Sequence, residues 1–125
     1  MAVEQYRQII QQLILERAER RYAGGIKLRL SHQPITPEGE GIETQAIIDC
    51  DRDRYLLLHT GWRGNRRTHG CSLHLDIING KIWIQHDGTE VGIATQLLEM
   101  GVPKDDIVLA FHSPYMRQFT EFATH

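Results

Sequence analysis

Histidine and aspartate side chains that could bind a metal ion occur near the middle of the chain. His74 and Asp76 lie two residues apart in an alternating apolar and polar run, so on a β-strand both project from one face, with His59 expected nearby. Three such side chains suit zinc or iron. However, His-x-Asp is a weak pattern, no further ligand has a diagnostic spacing, and neutral histidine on a half-exposed sheet face is ordinary. We therefore expect no metal and no cofactor.

A cysteine nucleophile is the second chemistry that the sequence offers. His69 and Cys71 lie two residues apart. A cysteine on the aliphatic face of a strand is usually an inert, small hydrophobic side chain. The glycines also lack the G-x-x-x-x-G-K spacing of a phosphate-binding loop. The sequence therefore predicts no catalytic residues.

Three arginines form the one compact basic patch of the sequence. Arg63, Arg66 and Arg67 follow Trp62, and arginines beside an aromatic residue can contact phosphates and stack on bases. The chain as a whole has 14 Lys and Arg against 16 Asp and Glu, a formal net charge of -2, which indicates neither a nucleic-acid surface nor a membrane surface. The three arginines are therefore a candidate DNA contact, with a solvated loop as the alternative.

One side of the predicted sheet combines polar residues with large apolar ones. A solvent-facing sheet surface does not need a tryptophan, a tyrosine and a leucine together, whereas aromatic residues among hydrogen-bonding side chains are typical of protein interfaces. We predict a partner-binding surface here. The alternative is that the N-terminal helix or the C-terminal segment covers this side. The surface consists of Tyr55, Leu57, His59, His74, Asp76 and Trp83.

The elements that position these residues begin with a β-hairpin over residues 71–87. Asn79 and Gly80 supply the two positive-φ residues of a type I′ turn, and apolar residues alternate on both sides of them. A single register then places the aliphatic residues on one face. The predicted pairs are Ile77 with Ile82, Leu75 with Ile84, and Leu73 with His86.

Two further strands, at residues 45–51 and 54–62, precede this hairpin and complete an antiparallel meander of four strands. Arg52 and Asp53 form the first connection, and residues 63–66 form the second. The expected register pairs Trp62 with Arg67, Leu58 with Cys71, and Leu56 with Leu73.

Helices flank the predicted sheet. Apolar residues at helical spacing predict a helix over residues 3–21, and Gly24-Gly25 ends it. A second helix opens at Asp87 or Thr89 and ends before Gly101. Other elements are a short strand at residues 26–30, an extended, mobile connection at 31–41, a strand at 107–111 and a short helix from Pro114 through Phe119. The inward residues of the two main helices are Val3, Tyr6, Ile10, Leu13 and Ile14, then Ile93, Ala94, Leu97 and Leu98.

Length and composition indicate one α+β domain over residues 1–125, with an antiparallel meander of four or more strands packed against the N-terminal helix and the helix after the sheet. Cys50 and Cys71 fall inside predicted strands, which is typical of free buried thiols in a reduced compartment. No apolar run approaches the ~20 residues that span a bilayer, so we expect a cytoplasmic protein without membrane contact.

Several segments of the sequence resemble the XisI family of cyanobacteria, named for the fdxN-element excision controlling factor. The resemblance covers nearly the whole chain, and its specificity comes from the order and spacing of the segments. Residues 31–44 depart from it, because they are longer and richer in Pro and Gly than the family pattern. The matching segments are VEQYRQII at residues 3–10, YLLLHTGW at 55–62, RTHGCSLHLDI at 67–77, GKIWIQ at 80–85, DGTEVGIA at 87–94 and GVPKDDIVLAFHSP at 101–114.

The resemblance implies a non-enzymatic accessory protein in the developmentally controlled excision of a DNA element. Such a protein acts alongside an XisH-like protein, which looks nuclease-like, and a site-specific recombinase. The family has no established catalytic residues to transfer. Two alternatives remain open: a subunit that restrains or assembles a nuclease-like partner outside excision, and a small metal-dependent or hydrolytic enzyme. The sequence also leaves self-association open.

Overall fold

A computed structural model describes residues 2–23, 41–89 and 92–125, without the side chains of residues 19–23. It has the predicted α+β architecture, in which one sheet carries its helical layer mainly on one face. The helices are α1 (Val3–Ala23), α2 (Ile93–Glu99) and α3 (Pro114–Arg117). The strands are β1 (Gly41–Asp49), β2 (Arg54–Arg63), β3 (Arg66–Ile78), β4 (Lys81–Asp87) and β5 (Ile107–Leu109).

The five strands follow one another across the sheet in chain order. Strands β1 to β4 form the predicted antiparallel meander, whereas β5 pairs with β4 in parallel. A parallel neighbour needs a crossover connection, and the segment containing α2 provides it. The fold is therefore a meander extended by one parallel strand.

The β3–β4 hairpin turns where the sequence predicts. Asn79 and Gly80 have φ values of 52° and 76°, as a type I′ turn requires. The predicted pairing of Ile77 with Ile82 is confirmed, as is that of Leu75 with Ile84. The hairpin register therefore follows directly from the turn.

Two register shifts beyond this point make part of the predicted pairing wrong. Between β3 and β4 the register shifts at His74, so that Leu73 pairs with Asp87 instead of His86. Between β2 and β3, Trp62 pairs with Arg67 as predicted, but a shift then pairs Leu73 with Leu57 instead of Leu56. A one-residue shift reverses which face a side chain occupies. The second shift therefore moves alternate residues of β2 to the helix-facing side.

The core lies between that side of the sheet and helices α1 and α2. The predicted inward residues of α1 and α2 are buried or pack against the buried cluster, which confirms the 3.6-residue pattern. The Tyr6 hydroxyl donates a hydrogen bond to Asp106, and burial raises the pKa of Tyr6 well above its ordinary value. This contact joins the first helix to the segment before β5.

Helix α2 begins later than predicted, at Ile93. The N-cap residue is Gly92, so the predicted cap at Asp87 or Thr89 was wrong. The Asp87 carboxylate still contacts the start of the helix, because one oxygen accepts the Ile93 N–H at 2.8 Å and the other accepts the Thr89 N–H at 3.0 Å. Gly101 has a φ of 93°, which confirms the predicted left-handed position after the helix. Helix α3 is shorter than predicted, and the Ser113 side chain caps it.

Strand β1 ends two residues before the predicted boundary. One carboxylate oxygen of Asp49 accepts the backbone N–H groups of Asp51 and Arg52, both at 3.0 Å, which turns the chain. Cys50 is therefore exposed in a turn, and its prediction as a buried strand thiol was wrong.

Three sequence predictions lie outside the described residues: the end of α1 at Gly24-Gly25, the strand at 26–30, and most of the connection at 31–41. Among the described residues, the helices lack the combination of length and apolar character that a membrane crossing needs.

Candidate functional site

The six residues of the predicted partner-binding surface lie on two opposite faces of the sheet. Tyr55 and Leu57 are fully buried in the core below the helices, and His59 shares their side of β2. The prediction that they share a face with His74 and Trp83 was wrong, because the shift between β2 and β3 reverses their orientation. His74, Asp76 and Trp83 occupy the other face, here called the outer face.

His59 is 6% exposed and belongs to a hydroxyl network. Its Nδ1 lies 3.1 Å from the Thr44 hydroxyl and its Nε2 lies 2.7 Å from the Ser72 hydroxyl. Both ring nitrogens are therefore engaged on the helix-facing side, away from His74 and Asp76. Among the residues that the structure describes, no group of three or more His, Cys, Asp or Glu residues is arranged to hold a metal ion.

On the outer face, Asp76 is the centre of a small polar cluster. The Asp76 side chain is buried, and its Oδ1 lies 3.0 Å from His74 Nε2 and 3.6 Å from Arg54 Nε. In the sheet, Trp83 pairs with Asp76 on β3 and with Val108 on β5. A buried carboxylate between two nitrogen donors is held in a fixed position. This arrangement orients the half-exposed His74 on the same face of the sheet as Trp83.

The C-terminal segment covers part of the outer face, as one of the two sequence alternatives predicted. The Arg117 guanidinium lies 5.4 Å from the centroid of the Trp83 ring and donates hydrogen bonds to the carbonyls of His112, Ala110 and Thr124, at 3.0, 3.4 and 3.4 Å. Such stacking is an attractive cation–π geometry. Trp83 is therefore one of the points at which the C-terminal segment is attached to the sheet, besides the backbone bridge between Ala123 and β5.

This segment also presents an apolar surface that the sequence analysis missed. Tyr115 is 67% exposed and Phe119 is 66% exposed, and their rings meet edge to face at a centroid distance of 5.3 Å. The four-residue spacing of these rings after Pro114 was the signal that could have identified it. We name the group the C-terminal apolar cluster; its members are Phe111, Tyr115, Met116 and Phe119.

The predicted basic patch borders a cavity of about 430 Å³ beside the turn that joins β2 to β3. Arg63 and Arg66 face each other across the end of the hairpin, and Arg67 lies 5.5 Å from the centroid of the Trp62 ring. Besides the three arginines, the cavity wall includes His59, Thr68 and Ser72. The structure thus places two groups together that the sequence analysis had treated separately.

Cys71 also lines this cavity, but its chemistry is that of a packed thiol. Its Sγ donates to the Leu73 carbonyl at 3.0 Å, and burial raises the pKa of Cys71 above its ordinary value. Because the thiolate is the nucleophilic form, a raised pKa disfavours nucleophilic catalysis at neutral pH.

Comparison with known proteins assigns a family to the chain. The family model described as "XisI protein" matches residues 1–124. The crystal structure of a XisI-like protein from Anabaena variabilis ATCC 29413 is 34% identical, with 95% of each chain covered and a TM-score of 0.77. That of fdxN element excision controlling factor XisI from the same organism is 38% identical, with 96% of each chain covered and a TM-score of 0.72. No match was found among curated proteins. The chain belongs to the XisI family.

Proposed function

We propose that this protein is a non-enzymatic accessory factor that controls site-specific excision of a DNA element. It acts through protein contacts with an XisH-like partner and, through that partner, with a recombinase. The observation that carries this proposal is the 38% identity, over 96% of both chains, to the structure described as fdxN element excision controlling factor XisI.

The partner contacts the C-terminal apolar cluster. Aromatic side chains and methionine are enriched in protein interfaces, and a few large aromatic residues usually supply most of the binding energy. Here Tyr115 and Phe119 are about two-thirds exposed, and Phe111 and Met116 lie close to them in the chain. An apolar group of this kind on a folded surface favours a macromolecular contact.

The structure around the cluster holds it in a defined conformation. Helix α3 has only four residues, too few to be stable alone. The Ser113 cap, the three carbonyl bonds of Arg117 and its stacking on Trp83 fix this short helix to the outer face. A surface ordered before binding loses less conformational entropy when the partner arrives.

The outer-face residues His74 and Trp83 extend this surface along the sheet. Asp76, buried below them, acts as a positioning residue through its contact with His74. The remaining predicted contacts, Tyr55, Leu57 and His59, are buried on the opposite side, so they support the sheet from within. The proposed partner surface therefore consists of the C-terminal apolar cluster together with His74 and Trp83.

Co-expression with the XisH-like partner tests this surface. Replacing Tyr115 and Phe119 together by Ser should weaken the complex by about a hundredfold or more, since each removes a large anchor. The matched control replaces Leu15 and Ile47 by Ser, because these side chains are also exposed, at 50% and 39%, but lie on α1 and β1. Equal retention of the partner by both double variants would reject the surface.

A reconstituted excision reaction separates the main proposal from its alternative. If the protein controls excision, the Tyr115 and Phe119 double variant should change the yield of excised DNA to the value seen when the protein is omitted. If the complex forms but the yield does not respond to the protein at all, the protein restrains or assembles its partner outside excision.

A further inference from the structure

The cavity at the end of β2 and β3 has the dimensions of a ligand site. Its volume of about 430 Å³ lies within the range of roughly 300–1,000 Å³ typical of small-molecule pockets. Starting from buried Leu57, every second residue along β2 shares its side of the sheet, which includes His59 and Arg63. The cavity therefore continues the helix-facing side of the sheet, opposite the outer face to which the C-terminal segment is attached.

Arginine side chains supply positive charge at this cavity. Arg63 and Arg66 face each other across the two arms of the hairpin, whereas Arg67, which also lines the cavity, stacks its guanidinium on Trp62. Among the described residues, the ion pairs of the protein involve other groups, and the described cavity wall contains no Asp or Glu. Two arginines that face each other beside one concavity, without a carboxylate partner among the described residues, are suited to a multivalent anion.

A second observation concerns the hydroxyl groups of the cavity wall. The Ser72 hydroxyl is held at 2.7 Å by His59, whose other ring nitrogen is held by Thr44. Because His59 is buried, these two hydrogen bonds fix the position of the Ser72 hydroxyl at the cavity. Thr68 contributes another hydroxyl from the same strand. Oriented hydroxyls beside arginines provide neutral donors that complement a tetrahedral oxyanion.

We infer that this cavity binds a phosphoryl group carried by a small ligand. Arg63 and Arg66 provide the charge-assisted hydrogen bonds, and the hydroxyls of Thr68 and Ser72 complete the contacts. A concave site and a net charge of -2 favour a small phosphorylated ligand over a long stretch of duplex, which needs an extended basic surface. This inference does not depend on the partner surface.

Binding measurements by isothermal titration calorimetry test the inference with four probes: inorganic phosphate, AMP, adenosine and a short DNA duplex. Phosphate and AMP should bind wild-type protein, and adenosine should not, because it lacks the phosphoryl group. Binding of the duplex that exceeds that of AMP and needs the same arginines would identify the DNA backbone as the source of the phosphoryl group. Binding of AMP alone would identify a small ligand. The second result supports the inference, whereas the first would overturn its assignment to a small ligand.

The double variant Arg63→Ala with Arg66→Ala should weaken AMP binding by about tenfold or more for each arginine removed. The control Arg52→Ala with Lys104→Ala removes the same charge at exposed positions outside the cavity and should bind as wild type does. Ser72→Ala should weaken binding without loss of charge. Equal binding of AMP and adenosine, equal effects of both double variants, or no phosphate binding in the millimolar range would overturn the inference.

Discussion

Arg117 lies over the indole of Trp83, with its guanidinium carbon 5.4 Å from the ring centroid, and so attaches the C-terminal segment to the sheet. Replacing Arg117 by Ala should loosen the part of this segment that covers Trp83 and destabilise the protein by about 1–3 kcal/mol, because the stacking and three carbonyl hydrogen bonds are lost. In a Trp62→Phe background, Trp83 fluorescence should become more accessible to acrylamide. Arg67→Ala in the same background is the control, and equal quenching in both variants would contradict the prediction.

Asp53 joins the β1–β2 turn to α1. Its carboxylate receives two hydrogen bonds from Arg7, at 2.8 and 3.1 Å, and one from the Tyr55 hydroxyl at 2.9 Å. Asp53→Asn should lower the free energy of unfolding at pH 7 by about 1–3 kcal/mol. Asparagine tolerates the φ of 56° at this position, so the change tests the charge and not the backbone. Glu4→Gln, at the exposed partner of Arg7, should cost at most about 0.5 kcal/mol.

The contribution of Asp53 should depend on pH in a defined direction. Its hydrogen bonds from Arg7, followed by that from Tyr55, hold the pKa of Asp53 below its ordinary value of 3.8. The unfolded chain therefore binds more protons in this range, and stability falls as the pH falls. The difference between wild type and Asp53→Asn should be full above about pH 5 and should disappear as the pH falls through the folded pKa. Urea unfolding between pH 2 and pH 7 measures it, and a constant difference would refute the assignment.

Gly61 is required by the close approach of β1. A Cβ at this position would lie 2.0 Å from the Gly41 carbonyl oxygen, and its φ of 152° disfavours a side chain. Gly61→Ala should therefore destabilise the protein by about 2 kcal/mol or more, measured by chemical denaturation. Gly70 on β3 is the matched control, because a Cβ there meets nothing within 4 Å. A similar loss at both positions would argue against a steric cause.

The Asp87 carboxylate should be needed for α2 to begin at Ile93. Asp87→Ala removes the acceptor for the N–H groups of Ile93 and Thr89 and should cost about 1–2 kcal/mol. Asp87→Asn retains a side-chain oxygen and should cost less. Hydrogen exchange at the Ile93 amide should increase in the Ala variant, and unchanged exchange there would be inconsistent with a stabilising hydrogen bond to Asp87.

Local rules predict the elements of this fold better than they predict its faces. The φ values of Asn79 and Gly80 follow from a dipeptide, and the buried residues of α1 follow from a period of 3.6. The shifts at Leu57 and His74 have no such signal, because each adds one residue to a strand that still alternates. A single undetected bulge was enough to exchange the predicted positions of Leu56 and Leu57.

The candidate site was predictable to a similar extent. The three arginines were identified from their spacing, but only the folded chain brings His59 and Ser72 to the same cavity. Trp83 was predicted on the correct strand, whereas its contact with Arg117 depends on a segment that returns to the sheet more than thirty residues later. Contacts of this range leave no periodic trace in the sequence.

The hydrogen bond between Tyr6 and Asp106 connects residues separated by 100 positions along the chain. During translation, α1 therefore emerges long before its last partner has been synthesised. In a nascent chain that ends before β5, the apolar face of α1 lacks part of its packing partners. Such a partly exposed face is prone to aggregation. We expect the contact between α1 and Asp106 to form only after the segment through β5 has left the ribosome.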